Sequence, residues 1–385
     1  MKYSNLFEGT ECEALLIIDS SEQNMDLYYL TRFFAPDAFA CVITPEQSSV
    51  IVSDLEHGRA CMEAKVDFVL RQIEYAQKYS DSAGNISVTM KAVISVLKEK
   101  NIRKVLVPQS FAVLYADILR AEGFELCVKQ GPLVKQRMIK TADELNYIAH
   151  AVLETENVLE DALNRIACSE IRDGKLYYEN TMLTAEKLKN HIAARLLERG
   201  YLSLYTIVAC GEQGCDPHHQ GSGPLYAHTP IIIDVFPRSL TNFYFADMTR
   251  TVVRGTPDPY VVSMFNSVAR AHQAAVDKIT DGVPARDVHK AVLDVFEKDG
   301  FKTGLIDNML QGFIHSTGHG VGLDIHENPR VANVDDILTD GMVVTVEPGL
   351  YYRGFGGVRL EDLVVVTGNG AANFNRLPKQ LVVAP

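Results

Sequence analysis

The segment from His315 to Pro329 restricts the fold of this chain more than any other stretch. Three histidines (315, 319 and 326) lie in it, and glycine occupies the alternate positions 318, 320 and 322. Without a Cβ, a glycine backbone allows a close approach from one side and adopts dihedral angles that other residues resist. Histidine is the commonest side-chain metal ligand and carries protons near neutral pH. Taken alone, the segment fits a functional site or a glycine-rich turn with solvated histidines.

Charge and cysteine content indicate which partners and which cellular compartment to expect. The 385 residues carry a formal charge of −12, with no basic stripe, so we expect no nucleic-acid partner. Seven scattered cysteines without a C-x-x-C pair predict free thiols in a reducing compartment. The N-terminus is polar, and no apolar run is long enough to span a bilayer. We therefore expect a cytoplasmic protein without a membrane partner.

The order of predicted elements indicates two domains. Short β-rich runs alternate with helical patterns up to Gly131 and Pro132, which predicts an α/β domain over residues 1–135. Thr141 and Glu144 then have the spacing of a capping box, which predicts a long helix to about Arg165. Helices in sequence pairs and long, mainly antiparallel strands follow, so residues 136–385 read as an α+β domain.

Acidic residues stand at the ends or centres of apolar strands in this second domain. Asp234 follows three isoleucines, and Asp247 lies in the β-rich run 243–253. Residues 237–242 would join the two strands as a hairpin loop, and neighbours across such a hairpin share one face. The alternative is that one aspartate pairs with Arg250 and the other lies in a turn.

Two glutamates complete a set of possible metal ligands. Glu347 follows the apolar run 343–346, and Glu361 precedes the apolar run 363–366. Together with Asp234, Asp247 and His319 they form an oxygen-rich donor set that suits Mn²⁺, and Co²⁺, Fe²⁺ or Zn²⁺ less selectively. Two divalent cations would neutralise four buried carboxylates. Ion-pair networks are the alternative, but these strands carry few basic residues beyond Arg250 and Arg359.

The order of these five residues resembles that of the pita-bread metallopeptidases, which include prolidase, aminopeptidase P and methionine aminopeptidase. The flanking segments 319–322, 326–329, 347–349 and 358–362 are also close to the family's patterns, and the resemblance covers most of residues 140–385. Residues 28–33 resemble a stretch of the N-terminal domain of prolidase, aminopeptidase P and creatinase, a domain that methionine aminopeptidase lacks. The resemblance implies a creatinase/prolidase-like domain (1–135), a pita-bread catalytic domain (136–385) and a homodimer.

The resemblance also implies a role for each site residue. Asp234 would chelate one metal, Asp247 and Glu361 would bridge both, and His319 and Glu347 would complete the other. A metal-bridging hydroxide would attack the bond before proline, with Glu347 as proton acceptor and His326 stabilising the oxyanion or protonating the leaving nitrogen. The residues expected to contact substrate or line its pocket are His218, with His219 as the alternative, His315 and Arg359.

Two departures from the family pattern concern the hairpin loop. Phe236 stands where the family usually has glycine, and the interval from Asp234 to Asp247 is two residues longer than usual. A two-residue insertion keeps the same strand faces together, whereas a one-residue change would exchange them. We therefore expect the ligands to be retained and the substrate preference to differ.

The function expected from the resemblance is hydrolysis of Xaa-Pro dipeptides or short peptides. Aminopeptidase P activity on longer peptides with proline at the second position is the main alternative. Lyase chemistry on a small zwitterion, and a non-catalytic peptide-binding module, are further alternatives. Metal-free creatinase-like chemistry is disfavoured, because it would leave the acidic cluster uncompensated.

Overall fold

The computed structural model describes residues 2–80 and 86–385, and the chain divides into the units Met1–Arg137 and Met138–Pro385. The first unit is built on a six-stranded sheet in the order β4-β3-β2-β1-β5-β6. Its elements, in chain order, are β1 (Ala14–Asp19), α1 (Met25–Thr31), β2 (Phe39–Ile43), β3 (Ser48–Val52), α2 (Asp54–Glu63), β4 (Phe68–Arg71), α3 (Gln72–Ala76), α4 (Val88–Glu99), β5 (Lys104–Val107), α5 (Val113–Ala121) and β6 (Glu125–Val128).

Both faces of this sheet are buried, as the side chains of β1 show. Leu15 and Ile17 pack in one core with Leu27 of α1, while Leu16 packs in another with Leu97 of α4. Successive residues of a strand point to opposite faces, so helices must cover both. The predicted α/β layering is confirmed.

The second unit contains the remaining helices and most of the strands. Its elements are α6 (Ala142–Ala167), β7 (Glu170–Arg172), β8 (Lys175–Tyr178), β9 (Thr181–Met182), α7 (Ala185–Glu198), β10 (Tyr201–Leu202), β11 (Ile207–Cys210), β12 (Ile231–Val235), β13 (Arg238–Ser239), β14 (Met248–Arg254), α8 (Pro259–Lys278), α9 (Ala285–Lys298), β15 (Gly304–Ile306), β16 (Met309–Gln311), β17 (Gly318–Gly320), β18 (Glu327–Val331), β19 (Val343–Val346), β20 (Gly349–Tyr352), β21 (Gly356–Arg359), β22 (Asp362–Thr367), β23 (Gly370–Asn373) and β24 (Val382–Val383).

Two sheets of this unit carry the acidic residues. One has the order β11-β12-β14-β24 and the other β18-β17-β19-β22-β23. Helices α6 and α7 pack against β14 and β11, whereas α8 and α9 share a core with β19 and β22. Fully buried side chains such as Val268, Val344 and Val364 form that core, and each contributes about 1.5–3 kcal/mol of apolar burial.

Helix α6 begins at the predicted capping box. Thr141 Oγ1 accepts a hydrogen bond from Glu144 N at 3.3 Å, and Glu144 Oε2 accepts one from Thr141 N at 2.8 Å. These bonds satisfy backbone donors that have no partner within the first turn of a helix.

No helix in the described residues is both long enough and apolar enough to span a bilayer.

The strand predicted over residues 243–253 begins later than expected, at Met248. Phe243 has a φ of 67°, a left-handed conformation that interrupts a strand. Tyr244 is buried, and its hydroxyl donates a hydrogen bond to Glu144 of α6 at 2.5 Å. This apolar segment therefore packs against a helix, and the loop before it contains the short strand β13, which pairs with β10.

Candidate metal centre

A cavity of about 740 Å³ in the second unit collects every site residue that we predicted from the sequence. Its lining includes Asp234, Asp247, His319, Glu347 and Glu361, together with His218, His315, His326 and Arg359. Residues separated by more than 140 positions in the chain therefore meet at one place. Five further lining residues are apolar: Ile207, Pro217, Phe236, Ile314 and Ile325.

The register of β12 and β14 places the two aspartates on one face. Asp234 lies directly opposite Thr249, and Asp247 is two residues before Thr249 on the same chain segment. Residues two apart on a strand point to the same side, so both carboxylates face the cavity. The exposed fraction is 8% for Asp234 and 4% for Asp247, which shows that both charges are largely removed from water.

The two glutamates extend the pairing of β19 with β22. Val346 lies opposite Asp362, so Glu347 and Glu361 are the next pair along the same register. Glu361 is also tied to the other sheet: its backbone N–H donates to Thr249 O at 3.1 Å, and Thr249 Oγ1 donates to Glu361 Oε2 at 2.7 Å. These bonds bring the acidic residues of the two sheets together.

His319 is held in the middle of β17 by close backbone packing. A Cβ at Gly318 would lie 2.0 Å from Thr345 O, and one at Gly320 would lie 2.4 Å from Asn328 O. The bare flank that the glycines create is therefore occupied by the neighbouring strands β19 and β18. Residues 318–320 are therefore strand, and the glycine-rich turn considered above does not apply to the part of the segment that carries His319.

The imidazole of His319 faces the carboxylates with a free lone pair. Its Nδ1 donates to Gly320 O at 3.1 Å, which leaves Nε2 unprotonated, and burial lowers the pKa of His319 to about 4. Nε2 lies 3.7 Å from Asp247 Oδ2 and 3.6 Å from Glu347 Oε1, too far for hydrogen bonds. Donor atoms of Asp247, His319 and Glu361 all lie within 4.8 Å of one another. This spacing fits ligands around a shared cation.

The acids also have the electrostatics of a metal centre. Burial and mutual repulsion raise the pKa of Asp247 and Glu347 well above their usual values, and raise the pKa of Glu361 to about 8. Asp234 Oδ2 accepts from Arg359 Nη2 at 2.7 Å, whereas no donor among the described residues reaches its buried Oδ1. A buried oxygen without a partner is costly, and a divalent cation would satisfy it. The donor set therefore fits the implied metals.

A hydrogen-bonded chain runs from Arg359 through Tyr351 to His315. Arg359 Nη1 donates to the Tyr351 hydroxyl at 3.0 Å, and that hydroxyl donates to His315 Nε2 at 2.8 Å. The remaining nitrogen, His315 Nδ1, donates to Ser316 O, and burial lowers the pKa of His315 to about 3. His315 is therefore neutral at physiological pH. Tyr351 was not among the predicted site residues, because only its position after Gly349 distinguishes it from other strand tyrosines.

His218 and His219 differ in their surroundings. His218 lines the cavity beside Pro217, whereas His219 does not and accepts a hydrogen bond from Gly221 N at 2.9 Å through Nδ1. His218 is thus the substrate-side candidate of the two. His326, whose ring lies 4.4 Å from that of His319, also lines the cavity, and partial burial together with the nearby His218 lowers its pKa.

An ion pair and a cation beside the cavity were also not predicted from the sequence. Lys140 Nζ, on a side chain that is 1% exposed, donates to Glu327 Oε1 at 2.7 Å. Arg330 lies opposite His319 on β18 and lines the cavity. Among the described residues, its exposed guanidinium has no ion-pair partner. Only the pairing of β17 with β18 brings Arg330 to the site, so no local pattern could reveal it.

Comparisons with known proteins agree with this architecture. A Xaa-Pro dipeptidase from Bacillus anthracis superposes with a TM-score of 0.82 at 25% identity, covering 99% of this chain and 98% of that one. An X-Pro aminopeptidase from Thermotoga maritima superposes with a TM-score of 0.78 at 22% identity, covering 97% and 98% of the two chains, a likeness of fold. The predicted pita-bread fold class is confirmed.

Sequence relatives show the same kinship. The probable dipeptidase PepE of Mycobacterium bovis is 36% identical over 196 residues, so the match spans about half of each chain. The Xaa-Pro dipeptidase of Pyrococcus furiosus is 26% identical over 364 residues, 93% of each chain. The model of metallopeptidase family M24 matches residues 146–368, which contain all five candidate ligands. The chain therefore belongs to metallopeptidase family M24.

Proposed function

We propose that this protein hydrolyses the Xaa-Pro bond of dipeptides and requires two divalent metal ions. The observation that carries the proposal is the convergence of four buried carboxylates and the free Nε2 of His319 on one cavity. The similarity to the Xaa-Pro dipeptidase of Pyrococcus furiosus over 93% of each chain supports the substrate class.

The metal ions would be held by the five candidate ligands. Asp234 would bind one ion and Asp247 and Glu361 both, while His319 and Glu347 would complete the second. Mn²⁺ is the first candidate because oxygen donors predominate, with Co²⁺, Fe²⁺ and Zn²⁺ as alternatives. When bound, such ions supply an activated water at neutral pH and polarise the scissile carbonyl.

The protein's own groups would move the protons. Glu347 would accept the proton of the attacking water. His326 would stabilise the developing oxyanion and deliver a proton to the proline nitrogen, which has no hydrogen of its own in the peptide. His218 would contact the substrate, and the chain from Arg359 through Tyr351 to His315 would keep these groups oriented.

Arg330 favours a dipeptidase over an aminopeptidase P. A dipeptide ends in a carboxylate immediately after proline, and a guanidinium at the cavity would bind that carboxylate. A longer peptide has an uncharged amide there, which leaves the cation without a partner. The side chain's position on the lining and its lack of an ion pair within the described residues support this choice.

We further infer the cellular setting and assembly. Seven free cysteines support a reducing, cytoplasmic location, and the charge of −12 supports the absence of a nucleic-acid partner. We propose residues 1–135 as the creatinase/prolidase-like domain and 136–385 as the catalytic domain. A homodimer without a membrane partner is inferred from the family resemblance.

The test compares Leu-Pro with Leu-Pro-Gly after chelation and reloading with Mn²⁺. We expect cleavage of Leu-Pro only, loss of activity on chelation, and recovery on reloading. Asp247→Asn should reduce kcat at least 100-fold, because it removes a proposed bridging ligand. Cleavage of Leu-Pro-Gly would instead assign an aminopeptidase P. Two bound metals without cleavage of either peptide would refute the proposed substrate class.

A further inference from the structure

We propose that His289 of α9 is a positioning residue for the metal centre, which it reaches through Thr317 and Phe313. This inference rests on the proposed function and concerns the groups that hold Glu347 and His315 in place. His289 itself is not among the residues that line the cavity.

His289 lies on the face of α9 that packs into the core. Ala285 lies four residues before it and Val292 three residues after it, and both are fully buried. Residues at these spacings share one face of a helix, so the imidazole points into the protein, where it is half-buried. A polar ring at such a position needs a hydrogen-bond partner.

The partner is the hydroxyl of Thr317, a fully buried residue. His289 Nδ1 lies 2.8 Å from Thr317 Oγ1, and within the described residues this is the only hydrogen bond of that hydroxyl. The backbone of Thr317 joins two strands: its N–H donates to Val331 O at 2.9 Å, and its carbonyl accepts from Glu347 N at 2.8 Å. The bond to His289 therefore fixes the residue that holds the backbone of Glu347.

The ring of His289 makes a second contact, which leads to His315. Its centroid lies 5.5 Å from that of Phe313, and Phe313 meets the imidazole of His315 edge to face, with centroids 5.1 Å apart. Residues 313–317 form neither helix nor strand, so side-chain contacts contribute much of what holds them. His289 contacts this segment at both ends, on either side of His315.

The two contacts should affect different properties of the site. The hydrogen bond leads to Glu347, the proposed ligand and proton acceptor, so its loss should weaken metal binding and slow turnover. The ring contact leads to His315, a lining residue of the cavity, so its loss should weaken substrate binding.

Two substitutions of His289 remove one contact each. His289→Phe keeps an aromatic ring but leaves the buried Thr317 hydroxyl without a partner, so Mn²⁺ affinity and kcat for Leu-Pro should each fall about tenfold, with KM within about twofold of wild type. His289→Asn keeps a hydrogen-bonding group near the position of Nδ1 but removes the ring. Its KM should rise about threefold, while its Mn²⁺ affinity stays within about twofold of wild type. Calorimetric titration and initial rates provide these values.

Thr317→Val tests the same hydrogen bond from the other side. It should lower Mn²⁺ affinity as His289→Phe does, and the double variant should lose little more, because residues that act through one contact are not additive. The visible absorption of Co²⁺-loaded protein reports ligand geometry. It should change in His289→Phe and Thr317→Val and return to the wild-type spectrum in His289→Asn.

Val268→Ala is the control for a loss of stability alone. Val268 is a fully buried residue of α8 in the same core as Phe313, and its apolar side chain forms no hydrogen bond. The substitution should lower the melting temperature but leave Mn²⁺ affinity and kcat within about twofold of wild type. If His289→Phe does not fold, Thr317→Val and His289→Asn provide the test.

The possible results separate this inference from the proposed function. A Mn²⁺ affinity that His289→Phe and Thr317→Val leave unchanged, or that Val268→Ala lowers equally, overturns the positioning role while dipeptidase activity stands. Losses that multiply in the double variant also overturn it. Wild type that binds two Mn²⁺ ions without cleaving Leu-Pro refutes the proposed function, whereas the affinities of the variants still decide the role of His289. Wild type that binds no metal overturns both.

Discussion

The residues at the cavity differ in how easily they can be recognised from the sequence alone. Asp234, Asp247, Glu347 and Glu361 are conspicuous because each interrupts or adjoins an apolar run, where a charge needs a partner. Lys140 and Glu327 are not, because 187 positions separate them and neither interrupts a strand pattern. The four acids can be recognised from their neighbours in the sequence. The Lys140–Glu327 pair can be recognised only once the tertiary structure is known.

The Lys140–Glu327 pair leads to a stability prediction. Lys140→Met leaves the Glu327 carboxylate without its ammonium partner, so the free energy of unfolding of the second unit should fall by about 3–5 kcal/mol. Lys290→Met is the control: Lys290 pairs with Asp294 on the exposed face of α9, and its loss should cost less than about 0.5 kcal/mol. Urea unfolding followed by far-ultraviolet circular dichroism would measure both, since the chain has no tryptophan. Equal midpoints for the two variants would show that the buried pair contributes little.

At the scale of elements, helices and central strands were predictable, but the loop before β14 was not. Strand β19 coincides with the apolar run 343–346, and helix α6 begins at the predicted capping box and ends two residues beyond Arg165. Residues 243–247 are as apolar as a strand, yet they pack towards α6 and leave the sheet. An apolar segment is expected to be buried, but whether it forms a strand depends on the element against which it packs.

Two threonines of β14, Thr249 and Thr251, hydrogen-bond the segment 359–361, and comparing their substitutions gives a matched test of metal affinity. Thr249→Val removes the hydrogen bond to Glu361 Oε2, so the affinity for Mn²⁺ should fall at least tenfold. Thr251 is equally buried, but its hydroxyl donates to Arg359 O at 2.8 Å and contacts no ligand carboxylate. Thr251→Val should therefore leave the affinity within about twofold of wild type. Calorimetric titration of Mn²⁺ into the metal-free variants would measure both affinities. Equal losses of affinity in the two variants would contradict the proposed role of Glu361.

At the scale of the whole molecule, the acidic residues form two groups: those exposed to solvent and the four buried at the candidate metal centre. The net charge of −12 was visible in the composition, and so was the need for cations to balance four buried carboxylates. The side chains that shape the cavity were not predictable, because Ile207 and Arg330 reach it through the pairing of strands. The candidate ligands could therefore be named from the sequence, whereas the side chains that shape the cavity could not.

The buried acids make the stability of the metal-free protein depend on pH. The pKa of Glu361 rises from 4.5 to about 8 in the fold, so the folded state binds more protons than the unfolded state between these values. Stability of the chelated protein should therefore decrease as pH rises from about 5 to about 8. Bound metal replaces those protons and should largely remove this decrease. Melting temperatures of chelated and Mn²⁺-loaded protein across this range provide the measurement, and parallel curves would rule out the acidic cluster as the cause.

The position of Phe236, just beyond the end of β12, has an evolutionary consequence. Ligand geometry depends on the pairing of β11, β12 and β14, whereas position 236 belongs to the loop that follows. A substitution there alters the surface that meets the substrate without shifting the register that holds Asp234. Descendants of one ancestral hydrolase can thus acquire new substrate preferences by single substitutions, each of which leaves the metal ligands in place.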